Sequence, residues 1–294
     1  MKENSRVLII GASGRVGREV FKIFKNSSNY DIFGTFNKNK FSGLENLDIT
    51  DLEQVEKLFE KIKPTILIHS AGMIYPGECE KNKELAWKIN VTGTKNLLKF
   101  CLKYNCKFVY ISTDYVFDGS SNSYIESDET NPLNVYGKTK FESEKLVSSI
   151  PEHLIIRTAW VNDVENDSKC FVMQVINSLK NHKEFVVHSK QSGNPTLASN
   201  LANIVVELVL NNLKGIYHVT GLTHIDRLSF AKKIAEKFSL DSNLIILNSD
   251  KKSNDSVIRP HQVKLNLDKL KSVTKLKILT LEEQLEIMKQ KFKQ

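Results

Sequence analysis

A tyrosine and a lysine stand four residues apart in the run Asn134-Val135-Tyr136-Gly137-Lys138-Thr139-Lys140. On a helix that spacing puts both side chains on one face, about 5–6 Å apart at Cβ, so the ammonium would lower the phenol from its ordinary pKa of about 10. A phenol tuned in this way is a proton donor. The same spacing also describes a half-buried aromatic beside a solvated lysine, and the pair needs support from elsewhere in the chain. Upstream, Ser112-Thr113-Asp114-Tyr115-Val116-Phe117-Asp118-Gly119 ends an apolar run in hydroxyls. In open α/β sheets, ligands bind at that carboxyl end of the strands.

Gly11-Ala12-Ser13-Gly14-Arg15-Val16-Gly17 follows the first apolar run and opens a helical pattern. Glycines permit a tight turn and a close backbone approach, while a helix N-terminus offers N–H groups and a positive dipole to a pyrophosphate. Gly11, Ser13, Gly14, Arg15, Val16 and Gly17 are therefore candidate cofactor contacts. NAD enzymes commonly place an Asp or Glu near the end of the second strand for the ribose hydroxyls. Here the run is Gly34-Thr35-Phe36-Asn37-Lys38-Asn39-Lys40, with two lysines and no carboxylate. Asn37 and Lys38, with Arg15, suit a 2′-phosphate, so NADP(H) is favoured and NAD(H) is the alternative; a solvated loop has the same composition. Asp48 and Ile49 fit either an adenine edge or a turn with a helix cap. Ser70, Ala71 and Gly72 end another strand in small residues, and Asn90 sits within an apolar helix as a core hydrogen-bonder or a water-mediated support for Lys140.

A β-α-β series must hold these residues. Apolar runs at Val7 to Ile10, Ile32 to Phe36, Thr65 to His69, Phe108 to Ser112 and Leu154 to Arg157 read as strands. Helical patterns at Val16 to Lys25, Leu52 to Ile62, Leu85 to Tyr104 and Tyr136 to Ser148 alternate with them, as in a parallel sheet with crossover helices. After about Ala159 the pattern loosens: helices at Phe171 to Asn181, Leu197 to Asn211, Ser229 to Phe238 and Leu281 to Phe292, strands at Phe185 to Val187 and Gly215 to Val219. The expected fold is α/β, a Rossmann-type doubly wound parallel sheet with a smaller C-terminal substrate-binding lobe. The dinucleotide-binding part spans residues 1–158, with late sheet elements returning near 201–220, and the lobe spans mainly 159–294.

Composition narrows the function classes. A chain of 294 residues, 40% hydrophobic and 26% charged, is long enough to bury a substantial core and fold by itself. Short apolar runs and an N-terminus without a secretory signal predict no membrane insertion and a cytoplasmic location. Four cysteines show no C-x-x-C pair and no zinc-like spacing with the seven histidines, so reduced structural thiols and no metal are expected. The net charge of +8 is carried by lysines with only six arginines and is spread along the chain, unlike a nucleic-acid face. Such a field suits an anionic cofactor or a sugar nucleotide.

Taken together, these runs resemble the extended short-chain dehydrogenase/reductase superfamily and, within it, the dTDP-4-dehydrorhamnose reductase family. The likeness is carried by Ser112 to Gly119, Pro132 to Lys140, Ile156-Arg157-Thr158-Ala159-Trp160-Val161, Gln191-x-Gly193-x-Pro195-Thr196, Gly215-Ile216-Tyr217-His218-Val219-x-Gly221 and Arg259-Pro260. It covers nearly the whole chain. The resemblance implies Thr113, Tyr136 and Lys140 as catalytic residues and Gly14, Arg15, Val16, Asp48, Ile49, Ser70, Ala71 and Gly72 as cofactor contacts. It also implies substrate contacts at Thr113, Asp114, Trp160 and Arg259, although Trp160 reads equally well as a packing aromatic. The implied reaction is NAD(P)H-dependent reduction of a 4-keto-6-deoxy sugar nucleotide, dTDP-4-dehydro-L-rhamnose or a close analogue, in surface polysaccharide synthesis. An epimerase or dehydratase retaining NAD is one alternative, weakened because Tyr115 rather than a second carboxylate follows Asp114. A non-catalytic dinucleotide-binding regulatory subunit is another, weakened by the presence of both Tyr136 and Lys140. Departures from the family pattern fall in the expected substrate lobe: Lys190 before Gln191, and His261-Gln262 after Arg259-Pro260. A homodimer is left open.

Overall fold

Apolar runs without alternation are the signature of strands buried on both faces, and here they build the centre of a seven-stranded parallel sheet. The computed structural model describes residues 5–38, 40–164, 169–187, 191–248 and 257–292, so Asn39 and Lys190 of the runs above lie outside the described residues. The sheet strands are β1 (Ser5–Ile10), β2 (Tyr30–Phe36), β3 (Glu45–Asn46), β4 (Ile66–His69), β5 (Lys107–Thr113), β6 (His153–Thr158) and β11 (Gly215–His218). Short strands pair off outside it: β7 (Val161–Asn162) with β10 (Thr196–Leu197), β8 (Phe185–Val187) with β13 (Ile245–Leu247), and β9 (Ser192–Gly193) with β12 (Ile225–Asp226).

The spatial order is β11-β6-β5-β4-β1-β2-β3. From β1 the chain runs outward through β2 and β3, then crosses back to β4 on the other side of β1, with Ile10 in register with His69. That reversal opens a crevice at the carboxyl ends of β1 and β4, the place where doubly wound sheets take their ligands.

Eleven helices cover the sheet and build the lobe among the described residues: α1 (Arg15–Lys25), α2 (Leu52–Ile62), α3 (Pro76–Lys81), α4 (Lys83–Trp87), α5 (Gly93–Lys103), α6 (Val135–Ser148), α7 (Phe171–Lys180), α8 (Ala198–Leu210), α9 (Arg227–Phe238), α10 (Asp268–Lys271) and α11 (Leu281–Phe292). Sequence chemistry explains their ends. Asp51 caps α2 by accepting from Glu53 N and Gln54 N, and the helix stops at left-handed Lys63 just before Pro64. The long pattern expected from Leu85 to Tyr104 is α4 and α5 joined by a π-helical turn at Lys88–Thr92, which contains Asn90.

Two apolar layers flank the sheet. One joins Val20 and Phe24 of α1 to Leu201 and Val205 of α8; the other joins Val55 and Phe59 of α2 to Leu97 and Phe100 of α5. The return of the chain through α8 and β11 completes the first layer. A third core, including Val172, Ile176, Phe230, Ile234 and Leu285, holds α7, α9 and α11 together. The strands and helices of two to six residues outside the expected set are too short to show a period.

Between α6 and the sheet lies a buried ion pair. Arg157 Nη2 of β6 sits 2.8 Å from Glu144 Oε2, both side chains 3% exposed, and Ser112 Oγ donates to Glu144 Oε1 at 2.5 Å. Arg157 Nε donates to both carboxylate oxygens at 3.1 and 3.2 Å, so the charges are closely matched. Replacing Glu144 by Leu should strand the guanidinium and lower the unfolding free energy by about 3–5 kcal/mol, read by urea denaturation. Adding Arg157→Met should recover most of that loss.

Candidate active site

The glycine turn is shaped by close contacts at the switch point. Gly11 has φ 81, and a Cβ on it would lie 2.9 Å from Ala71. A Cβ on Gly17 would lie 2.3 Å from Gly11 O and 2.6 Å from Ser70 Oγ. Thr35 Oγ1 accepts from Gly11 N at 3.2 Å, and Ser70 Oγ donates to Ile10 O at 3.0 Å, so β2 and β4 both brace the turn. Gly14 is the exposed N-cap of α1; no side chain caps this helix and no acidic residue sits in its first turn. An open helix N-terminus without a competing carboxylate fits a dinucleotide pyrophosphate.

The remaining cofactor candidates divide by position. Ser13 and Val16 are half-buried on the turn, while Asn37 and Lys38 are exposed just beyond β2, where the register Ile9 to Gly34 brings that strand level with the turn. Arg15 Nη1 donates to Val161 O at 3.1 Å, reaching across to the segment after β6. Asp48 Oδ1 accepts from Thr50 N at 2.9 Å and Thr50 Oγ1 at 2.8 Å, the turn arrangement rather than a cap, since Asp51 caps α2. Ile49 is buried against Gly93. Gly72 approaches Asn90 closely enough that a Cβ would meet Asn90 Oδ1 at 2.9 Å.

Asn90 spends its polar groups on protein. Its Oδ1 accepts from Met73 N at 2.7 Å, and its Nδ2 donates to Met73 O at 3.1 Å and Thr139 Oγ1 at 2.9 Å. Its backbone carbonyl accepts from Thr94 Oγ1 at 2.5 Å and Ser143 Oγ at 2.8 Å, so both lone pairs are engaged. Asn90 therefore clamps the segment after β4 to α6.

Thr113, Tyr136 and Lys140 come together between β5 and α6. Asn134 Oδ1 accepts from Gly137 N at 2.9 Å and fixes the first turn of α6, while Gly137 lies so near Tyr115 O that a Cβ would be 2.2 Å away. The Tyr136 phenol hydrogen-bonds with the Thr113 hydroxyl, and its ring packs edge-on to Tyr115 at 5.6 Å. Thr113 Oγ1 donates to Asp114 Oδ1 at 3.0 Å and accepts from Tyr115 N at 3.2 Å. Lys140 Nζ donates to Ile111 O at 2.7 Å and stands 4.0 Å from the centroid of the Tyr110 ring.

The electrostatics run against the expectation that the lysine lowers the phenol. Burial raises the Tyr136 pKa above its ordinary value, with the Thr113 hydrogen bond opposing and the Asp114 charge adding to the rise. Lys140 is itself pulled down to about 7 by burial, against the attraction of Glu144. A four-residue spacing carries the Coulomb attraction alone, whereas desolvation acts on both residues and is the largest cause of each shift. Asp114, also buried, is raised to about 6.

Trp160 and Arg259 stand on the lobe side. Trp160 has a left-handed φ of 43, lies so close to Gly193 that a Cβ there would be 2.7 Å from its ring, and carries the Arg227 guanidinium 3.5 Å from its centroid. Its ring is thus packed by protein. Arg259 acts electrostatically on Tyr115, whose hydroxyl hydrogen-bonds with Gln191. Tyr115, Gln191, Arg227 and Glu144 are site neighbours that the residue patterns did not assign. Of these, only Glu144 had a local signal, four residues beyond Lys140 on the same face.

A family model described as the RmlD substrate binding domain matches residues 5–294. The chain belongs to this family. It is 31% identical over 241 residues to dTDP-4-dehydrorhamnose reductase from Aggregatibacter actinomycetemcomitans, covering 79% of each chain. It is also 31% identical over 276 residues to methionine adenosyltransferase 2 subunit beta from Xenopus tropicalis, covering 91% of this chain and 82% of that protein. Among solved structures, dTDP-4-dehydrorhamnose reductase from Bacillus anthracis str. Ames in complex with NADP superposes with a TM-score of 0.87 at 31% identity over 98% of both chains. Among the described residues no helix is long and apolar enough to cross a membrane, and no cluster of side chains could hold a metal ion.

Gly17→Ala should force α1 off the turn, destabilise the fold by about 1–3 kcal/mol and weaken dinucleotide binding, as measured by thermal unfolding with and without NADP+. Lys140 gives a pH signature. Between about 7 and 10.5 the unfolded chain keeps the proton that folded Lys140 has lost, so stability should rise with pH across that window. Comparing wild type with Lys140→Met by denaturant titration should show the rise only in wild type.

Proposed function

We propose that the protein reduces the ketone of a 4-keto-6-deoxy sugar nucleotide with NADPH, the substrate being dTDP-4-dehydro-L-rhamnose or a close analogue destined for surface polysaccharide. The observation that carries this reading is the convergence of the Thr113 hydroxyl and the Tyr136 phenol at the carboxyl end of β5, on the same edge of the sheet as the open glycine turn after β1. The NADP in the Bacillus anthracis relative supports NADP(H) over NAD(H), as does the absence of a carboxylate at the end of β2. We assign residues 159–294 mainly to the substrate.

Bound NADPH supplies the hydride. Tyr136, kept protonated by burial, gives its proton to the oxygen that becomes the alcohol, while Thr113 donates a hydrogen bond to the same oxygen. Lys140 turns its ammonium to the base of the site and, being near half-protonated at neutral pH, holds a proton close to the phenol it must help restore. Asp114 anchors the Thr113 hydroxyl. The glycine turn and the α1 N-terminus receive the pyrophosphate, and Asn37 with Lys38 faces the 2′-phosphate.

A second reading is favoured by the Xenopus relative, a subunit of methionine adenosyltransferase: a dinucleotide-binding chain that performs no reduction of its own. Steady-state NADPH oxidation with 4-ketosugar nucleotides separates the two. Under the first reading wild type turns over stoichiometrically, and Tyr136→Phe lowers kcat by about 100- to 10,000-fold while still binding NADP+. Equal rates for the two proteins, or no turnover by wild type, would sink it.

A further inference from the structure

Asn134 caps α6 with one end of its carboxamide and holds a distant segment with the other. Its Oδ1 accepts from Gly137 N at 2.9 Å, and its Nδ2 donates to Ile258 O at 2.9 Å. Asp would cap as well but has no proton to donate, and Ser or Thr offers one oxygen at a single position. Asparagine is thus the good capping residue that can hold both groups at once. Its side chain is buried with the residue only 2–3% exposed, although Ile258 is 66% exposed. Two residues further on, Gln191 Nε2 donates to Pro260 O at 3.0 Å. Residues 257–263 therefore form a strap gripped at two carbonyls by two side-chain amides. Beyond these grips the strap passes between the chain after β5 and strand β9. A Cβ on Gly119 would lie 2.9 Å from Gln262 O, and Ser192 N donates to His261 O at 2.8 Å.

Both amides are rooted beside Tyr136. Helix α6 begins at Val135, so Tyr136 lies in the turn that Asn134 fixes. Gln191 hydrogen-bonds with the Tyr115 hydroxyl, and the Tyr115 ring packs on Tyr136 at 5.6 Å. The strap itself carries Arg259, whose charge acts on Tyr115. Moving the strap must break one of these grips or carry the surroundings of Tyr136 with it. We propose that Asn134 is a positioning residue for the sugar nucleotide: its one carboxamide sets the strap that carries Arg259 in register with the helical turn that carries Tyr136. A substrate held by the strap and protonated by Tyr136 needs the two at a fixed separation, and this side chain fixes it. The assignment rests on the sugar-nucleotide reading of the site.

Substitutions of Asn134 in the full-length protein separate the cap from the tie. Asn134→Ser keeps a capping oxygen and loses the donor to Ile258 O. Its KM for the 4-ketosugar nucleotide should rise about three- to tenfold, the worth of one hydrogen bond, with kcat within about twofold of wild type. Asn134→Asp, nearly isosteric, should behave alike. Asn134→Ala loses cap and tie together, so kcat should also fall, by about tenfold, as Tyr136 is no longer held in place. Rescue of kcat but not of KM by serine is the signature, since a merely structural loss would move both. Hydrogen exchange read by mass spectrometry tests the tie without turnover: in Asn134→Ser protection should fall across 257–263 while α6 keeps its own. Calorimetric titration with dTDP-L-rhamnose should show a loss of the same size as the rise in KM, and unchanged NADP+ binding reports an intact fold. Unchanged strap protection or unchanged KM in Asn134→Ser, parallel losses of kcat and KM in serine and alanine variants, or no dTDP-L-rhamnose binding by wild type would overturn the assignment. Wild type that reduces no ketosugar, while Asn134→Ser loses strap protection and dTDP-L-rhamnose affinity, would instead refute the reductase reading alone.

Discussion

Desolvation of one helical row is the constraint around which this molecule is arranged. Tyr136, Lys140 and Glu144 follow one another at successive turns of α6 and all face the carboxyl half of β5. Each would prefer water in its charged form, and each finds a different substitute. Tyr136 meets the Thr113 hydroxyl, Lys140 the Ile111 carbonyl and the Tyr110 ring, and Glu144 the Arg157 guanidinium with Ser112. Those partners belong to consecutive positions of β5 and to β6 in register beside it, Ser112 opposite Arg157 and Thr113 opposite Thr158. Glu144 takes hydrogen bonds from both Ser112 and Arg157, so the buried carboxylate and the pairing of β5 with β6 fix each other.

The dinucleotide end obeys a steric constraint instead. The reversal of strand order at β1 brings the ends of β2 and β4 to the two flanks of the Gly11–Gly17 turn, and both reach in with small groups, Thr35 on one side and Ser70 with Ala71 on the other. The turn is therefore tight because the neighbouring strands end close by. Asn90 connects this end to the chemical end: in the π-helical turn it holds the segment after β4 and, through Thr139 and Ser143, the middle of α6. A π turn displaces one residue from the regular ladder, which lets an asparagine carbonyl accept two side-chain bonds where an α-helix would favour its own.

Much of the fold was legible because it depends on local signals. Continuous apolar runs marked β1, β4 and β5, helical periodicity marked α1, α2 and α11, and Pro64 marked the end of α2. The glycine turn and the Tyr136/Lys140 pair were legible for the same reason, being contiguous motifs. What escaped depends on burial by distant chain. The sign of the Tyr136 shift is set by what covers it, including Tyr115 and Thr113, and nothing in a four-residue spacing carries that information. The contacts of Trp160 with Gly193 and Arg227 come from residues more than thirty positions away, and Arg227 by itself looks like any first-turn arginine.

The two shifts at the centre of the site point the same way chemically. Raising a phenol and lowering an ammonium both drive the Tyr136–Lys140 pair toward neutrality near pH 7. A site of neutral donors in a buried setting has little charge of its own to stabilise beforehand, so in the proposed reduction its hydrogen bonds would answer to the charge that develops on the substrate oxygen. Asp114 holds the Thr113 hydroxyl in place, since that hydrogen bond favours the carboxylate against the rise to about 6 that burial imposes. In the proposed reduction a substrate oxygen that gains charge competes with Asp114 for the Thr113 proton, so the donor is aligned before that charge develops.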